Sequence, residues 1–137
     1  TTEIYTLSLH DALPIYAGLF ALAKDVARLT ADDIATAEIQ RIVQIPKNTN
    51  WGSLKTLEKL LASKTEAEKA RQITGALVGA YELRHADAHL PGKEFQEAFF
   101  LLNINRSLPT VIQGYQLLHS CVSSLYGVIE VLRIWNV

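Results

Sequence analysis

Apolar residues in this 137-residue chain recur every three or four positions almost from end to end. Apolar and polar residues do not alternate over more than a few positions, as they would in a half-buried β-strand. Positions three and four apart share one face of a helix, so the recurring pattern favours helices that each bury one face. We therefore predict an all-α protein, a bundle of about five to six helices.

The clearest predicted helix follows Pro109 and carries a continuous apolar seam. The seam consists of Val111, Tyr115, Leu118, Val122, Leu125, Ile129 and Leu132. Steps of four and three residues are typical of a helix face that packs into the core of a bundle, and this is the interpretation that we favour. They are also typical of a helix face that pairs with a second copy of the chain. The seam and the long helix before it offer more apolar surface than a small bundle should leave exposed. We therefore also expect a homodimer.

Residues 1–15, TTEIYTLSLHDALPI, need separate treatment. They look like a codon-by-codon translation of a common short-read sequencing adapter, so we interpret them as an artefact fused in frame to a gene. Residues 16–137 then form one predicted domain. Because the chain contains no methionine, we expect this domain to be truncated at its N-terminus. The adjacent His10 and Asp11 are accordingly left out of the search for a catalytic site.

Charge and cysteine content restrict the ligands and surroundings of the predicted domain. Without Glu3 and Asp11, 13 basic and 12 acidic side chains remain, a formal charge of +1. No global field then draws the domain to nucleic acid or membrane, and an anionic ligand must be held locally. The single Cys121 excludes an internal disulfide, and no apolar run has the length of a membrane span. We expect a cytoplasmic protein without membrane contact.

The densest chemistry lies in the segment YELRHADAHLP. Arg84 offers a planar fork of donors that suits a phosphate, while His85 and His89 can exchange protons near neutral pH. Asp87 adds a carboxylate within the same two helical turns. The long helix that carries them is predicted to reach about His89, and Pro91 must end or bend it. We expect these groups at a helix terminus that is open to a substrate.

The run from Arg to the second His in this segment resembles the motif of the HEPN superfamily, whose helical-bundle domains carry Arg, a polar residue, a short gap and His. Many members are metal-independent ribonucleases, and symmetric dimers are common. The resemblance covers about residues 65–135 and implies catalytic roles for Arg84 and His89, with His85 and Asp87 in support. It also implies an RNA substrate, no cofactor, and a toxin or antiviral role in which an antitoxin protein is a partner.

The implied chemistry suits the two catalytic candidates. RNA cleavage by its own 2′-hydroxyl needs a proton acceptor, which His89 would supply, and a cation for the growing phosphorane charge, which Arg84 would supply. Five positions apart on a regular helix, the two side chains differ by about 140° in direction. One chain would not easily aim both at one phosphate. A symmetric dimer would pool two motifs in a shared cleft.

Two further interpretations use the same segment. Glu82, His85 and His89 are spaced by three and four residues on one helical stripe, which can bind zinc or contribute to a bundle metal centre. A dinuclear centre needs further carboxylates, and the chain has no second Glu-x-x-His copy. Alternatively, the domain is a non-catalytic module for dimerisation or for nucleotide or RNA binding, in which Arg84 merely pairs with Asp87.

Overall fold

The computed structural model describes the backbone of residues 9–85 and 93–135 and the side chains of residues 16–85 and 95–135. All regular structure in these residues is helical, so the prediction of an all-α bundle is confirmed. None of the helices described is long and apolar enough to cross a membrane. The helices are α1 (Leu9–Leu29), α2 (Thr36–Gln40), α3 (Ser53–Ala62), α4 (Ala67–Leu83), α5 (Lys93–Leu101) and α6 (Thr110–Arg133), with a 3₁₀ turn at Ala31–Asp33.

Helix α4 is the centre of the bundle, because α1, α3, α5 and α6 all pack against it. Small side chains on several sides of α4 allow this, among them the buried Ala70, Ala76 and Ala80. The tightest approach is at Gly79. A Cβ there would lie 2.9 Å from Cγ of Leu102 and 3.0 Å from the backbone oxygen of Ala98. The backbone of α5 therefore rests directly on that of α4.

Large side chains from the surrounding helices fill the space that these small residues leave. An aromatic cluster joins α1 to α5, with ring centroids 4.9 Å apart for Phe95 and Phe99 and 5.8 Å apart for Phe20 and Phe95. Tyr16 completes the cluster against Phe99. The core continues through almost fully buried leucines of α3, α4 and α6, namely Leu61, Leu77, Leu83 and Leu117.

Helix α6 packs through the face opposite the predicted one. Every residue of the apolar seam is at least 40% exposed, so our interpretation of the seam as the core-facing side is wrong. The two faces are offset by two residues, which is about 200° around a helix. Short side chains on this side of α6 let neighbouring segments approach closely. For example, the Ser120 hydroxyl donates a hydrogen bond to the Leu102 carbonyl at 2.5 Å. The buried residues are Gln113, Leu117, Cys121, Ser124 and Val131.

Two helix boundaries also differ from the sequence prediction. Helix α4 ends at the fully buried Leu83 rather than near His89, and Arg84 and His85 form a turn after it. The last turn closes where the Arg84 N–H donates to the Ala80 carbonyl at 3.1 Å. Helix α1 begins at Leu9, so its backbone runs through the domain boundary that we predicted after residue 15.

The contact at Gly79 is testable by substitution. Gly79→Ala should lower the free energy of unfolding by about 1–3 kcal/mol, because the new methyl group must displace either Leu102 or the α5 backbone. Gly75→Ala is the matched control one turn earlier, where a Cβ meets only Cδ2 of Leu101 at 3.6 Å. That change should stabilise the helix by roughly 0.5–1 kcal/mol. Urea denaturation followed by circular dichroism measures both, and equal effects would contradict the close approach.

Candidate functional site

Arg84 is held by contacts from two parts of the fold. Its Nη1 donates to Oδ2 of Asp32 at 2.8 Å, and its guanidinium lies over the Tyr81 ring, 4.4 Å from the centroid. Asp32 belongs to the 3₁₀ turn that follows α1, 52 positions earlier in the chain. Only 18% of the Arg84 side chain is exposed. The cation at the end of α4 therefore has a defined orientation.

His85 extends this cluster towards solvent. Its ring meets that of Tyr81 edge-on, with centroids 5.5 Å apart. Its Nε2 lies 3.5 Å from Nε of Arg84, a separation at which a hydrogen bond is weak. The structure thus brings Arg84 and His85 together around one tyrosine ring.

His89 and Asp87 lie outside the described residues. The pairing of Arg84 with His89 therefore stays a prediction, and so does the alternative contact between Arg84 and Asp87. The carboxylate that the structure does place on Arg84 is that of Asp32. The separation of about 140° between the two side chains, expected for a regular helix, likewise stays a prediction.

The alternative metal site includes one residue that the structure does not describe. Among the described residues, no group of three His, Cys, Asp or Glu side chains is placed to hold a metal ion. Of the three predicted ligands, Glu82 and His85 are described and His89 is not. The guanidinium of Arg84 stands beside Nε2 of His85, so a cation bound to that nitrogen would face a positive charge.

A cavity of about 430 Å³ opens beside the cluster, between the start of α3 and the C-terminal half of α4. Lys55 Nζ and Glu58 Oε2 form an ion pair of 3.0 Å among its lining residues. A volume of this size is in the range of small-molecule sites. The lining residues are Gly52, Ser53, Leu54, Lys55, Glu58, Val78, Tyr81 and Glu82.

Cys121 is the chain's one thiol, and its surroundings make it unreactive. Burial raises the pKa of this thiol from 9.0 to about 12. Only the thiolate is a nucleophile, so Cys121 takes no part in covalent chemistry near neutral pH. Because the folded pKa is the higher one, burial of the neutral thiol stabilises the fold below pH 9, and this contribution is lost as the pH rises towards 12.

Asp32 and Tyr81 are the contacts that sequence reasoning missed. No local pattern links Asp32 to Arg84, because the packing of α1 on α4 brings them together. Tyr81 carried a usable signal, since residues four apart on a helix share a face and His85 is four positions on. Both side chains orient the cation that the sequence had singled out.

Comparison of the chain with protein-family models, curated proteins and solved structures found no match. The HEPN resemblance therefore depends on the motif residues and on the all-α fold. It stays a prediction.

The ion pair between Asp32 and Arg84 should contribute more to stability than a typical surface pair. A double-mutant cycle with Asp32→Asn and Arg84→Gln is expected to give a coupling energy of about 1 kcal/mol. The control cycle is Glu38→Gln with Arg41→Gln, a pair at 3.1 Å whose side chains are 64% and 76% exposed. Its coupling should stay below about 0.5 kcal/mol. Denaturation midpoints supply both values, and equal couplings would show that Asp32 does not hold Arg84 in solution.

Proposed function

We propose that this chain is a HEPN-like, metal-independent endoribonuclease in which Arg84 binds the scissile phosphate and His89 moves the proton. The oriented guanidinium of Arg84 is the observation that carries the proposal. Arginine has five N–H donors, and the contacts made by described residues engage only Nη1 and Nε. No contact with another described residue uses Nη2, which we assign to the phosphate. A cation fixed before the reaction stabilises developing charge without reorganising.

The proposed reaction is transesterification within the RNA. His89 accepts the proton of the 2′-hydroxyl, and the resulting oxygen attacks the neighbouring phosphorus. The bond from phosphorus to the 5′-oxygen breaks, and that oxygen takes up a proton from a general acid. The products are a 2′,3′-cyclic phosphate and a 5′-hydroxyl end. Arg84 stabilises the extra negative charge on the phosphorane, while Asp32 and Tyr81 act as positioning residues for Arg84.

The proposed enzyme is a homodimer formed through the apolar seam of α6. The seven side chains of the seam are 40–82% exposed along the length of α6, and a standard interface buries about 800 Å² per partner. An exposed apolar stripe of this size is unusual on a monomeric protein. A second copy offers an identical stripe, which a two-fold axis can pair with the first.

Dimerisation through α6 also suits the position of Arg84. Helices α4 and α6 run antiparallel, since Ile73 lies against Gly127 and the Ala76 carbonyl lies 3.8 Å from the thiol of Cys121. The end of α4 is therefore at the same end of the bundle as the start of α6. Parallel pairing of two α6 helices would place both Arg84 side chains at one end of the dimer. Two motifs would then serve a shared cleft.

The biological role that this activity implies is an RNA-directed toxin or antiviral effector in the cytoplasm, restrained by an antitoxin protein. A non-catalytic dimerisation module is the second candidate function. The exposed seam favours it, because the seam needs a partner whether or not the motif cleaves RNA.

Arg84→Ala and His89→Ala should each reduce RNA cleavage at least about a hundredfold, the scale of charge-stabilising and acid-base residues. His119→Ala is the control for His89→Ala, because it also replaces a histidine by alanine, at an exposed position of α6. It should leave the rate of RNA cleavage unchanged. Cleavage of a labelled RNA is the measurement, with circular dichroism to confirm folding. Activity should persist in chelator. Wild-type protein that dimerises but cleaves no RNA would leave the dimerisation module as the function.

The double variant Leu118→Lys with Leu125→Lys should be monomeric, because it places two charges in the middle of the seam. Leu29→Lys with Phe100→Lys is the matched control, at positions 74% and 82% exposed outside α6. The control should remain a dimer. Light scattering after size exclusion gives the mass of each form. A monomeric wild-type chain at micromolar concentration would contradict the proposed interface.

A further inference from the structure

The cavity between α3 and α4 shares a wall with the Arg84 cluster. Tyr81 lines the cavity, and the same ring carries the Arg84 guanidinium 4.4 Å from its centroid. Only the Tyr81 ring would thus separate a molecule in the cavity from the proposed phosphate-binding cation. In RNA, a base and the phosphate attached to its ribose are separated by a comparable distance. The arrangement suits a base in the cavity and its phosphate at Arg84.

The walls of the cavity combine apolar surface with charged side chains, namely the ion pair of Lys55 with Glu58 and the acidic residue Glu82. Leu54 and Val78 supply aliphatic surface, and Tyr81 supplies an aromatic ring, which together suit a flat heterocycle. Lys55 Nζ and Glu58 Oε2 lie 3.0 Å apart, so an ammonium donor and a carboxylate acceptor are adjacent. The Glu58 side chain is only 12% exposed, which limits competition from water. A ligand must therefore present an acceptor next to one or more donors.

We propose that this cavity binds a guanine base. The Watson–Crick edge of guanine carries the O6 acceptor beside the N1–H and N2–H donors. Lys55 can donate to O6 while the carboxylate of Glu58 accepts from N1–H and N2–H. Adenine and cytosine each offer one amino group as a donor on that edge, and uracil offers one ring N–H. Guanine therefore makes one more hydrogen bond to the Glu58 carboxylate than adenine, cytosine or uracil makes.

The guanine has two potential sources, which the experiment separates. It belongs either to an RNA substrate, in which case the site determines where the chain is cut, or to a free guanine nucleotide. The substrate case rests on the proposed ribonuclease function. Binding of guanosine monophosphate, GMP, to the full chain does not depend on cleavage, so it tests the cavity by itself.

Calorimetric titration of the wild-type chain should show GMP binding at least about tenfold tighter than AMP, CMP or UMP, the scale of one charge-assisted hydrogen bond. Glu58→Gln should weaken GMP binding at least about tenfold, because the carboxylate is lost. Gly52→Phe should abolish it by filling the cavity. A Cβ at Gly52 meets no atom within 4 Å, and its φ of −70° suits any residue, so this variant should fold.

Glu68→Gln is the control for Glu58→Gln, because Glu68 forms an exposed ion pair with Arg71 away from the cavity. It should bind GMP as the wild type does.

In the RNA arm, cleavage should occur next to guanosine, and GMP should inhibit it competitively. GMP binding without RNA cleavage would overturn the ribonuclease function and leave a site for a free guanine nucleotide. Cleavage without base preference, in a chain that does not bind GMP, would overturn the guanine site alone. Equal binding of all four nucleotides would overturn the guanine assignment.

Discussion

The close contact of four helices with α4 is the constraint on which the rest of the structure depends. At Gly79 the backbones of α4 and α5 approach so closely that a Cβ would meet Leu102 and the Ala98 carbonyl. Alanines on the other sides of α4 let α1, α3 and α6 come near as well. Since protein interiors are densely packed, these short side chains determine how near each neighbouring helix can lie. The positions of α1, α3, α5 and α6 follow from these distances.

The candidate site is a consequence of the same packing. With α1 lying on α4, the turn after α1 reaches the end of α4, where Asp32 meets Arg84. Helix α3 packs on another side of α4, and the cavity lies between α3 and Tyr81, the residue on whose ring the Arg84 guanidinium lies. An oriented cation and a ligand-sized cavity therefore share one aromatic ring. The proposed ligand, a phosphate attached to a flat base, would use both features.

The outer face of α6 is apolar, and the packing of the bundle leaves it exposed. The bundle buries the face that carries Gln113, Leu117, Cys121, Ser124 and Val131, and through it α6 packs against α4 and α1. The more hydrophobic face is left in solvent, where the proposed second copy would cover it. Since the start of α6 and the end of α4 lie at one end of the bundle, a partner on α6 would come close to the candidate site. Assembly and activity are linked in the proposed enzyme for this geometric reason.

The sequence by itself determined that the chain is all-α and roughly where most of its helices lie, because helical periodicity is a local property of neighbouring residues. It also singled out Arg84, since the types of side chain in one segment are visible without a structure. Tertiary structure decided which face of α6 is buried, where α4 ends, and which carboxylate pairs with Arg84. Each of these depends on contacts between distant parts of the chain. An apolar pattern shows that a face avoids water, but it does not show whether the same molecule or another one will cover it.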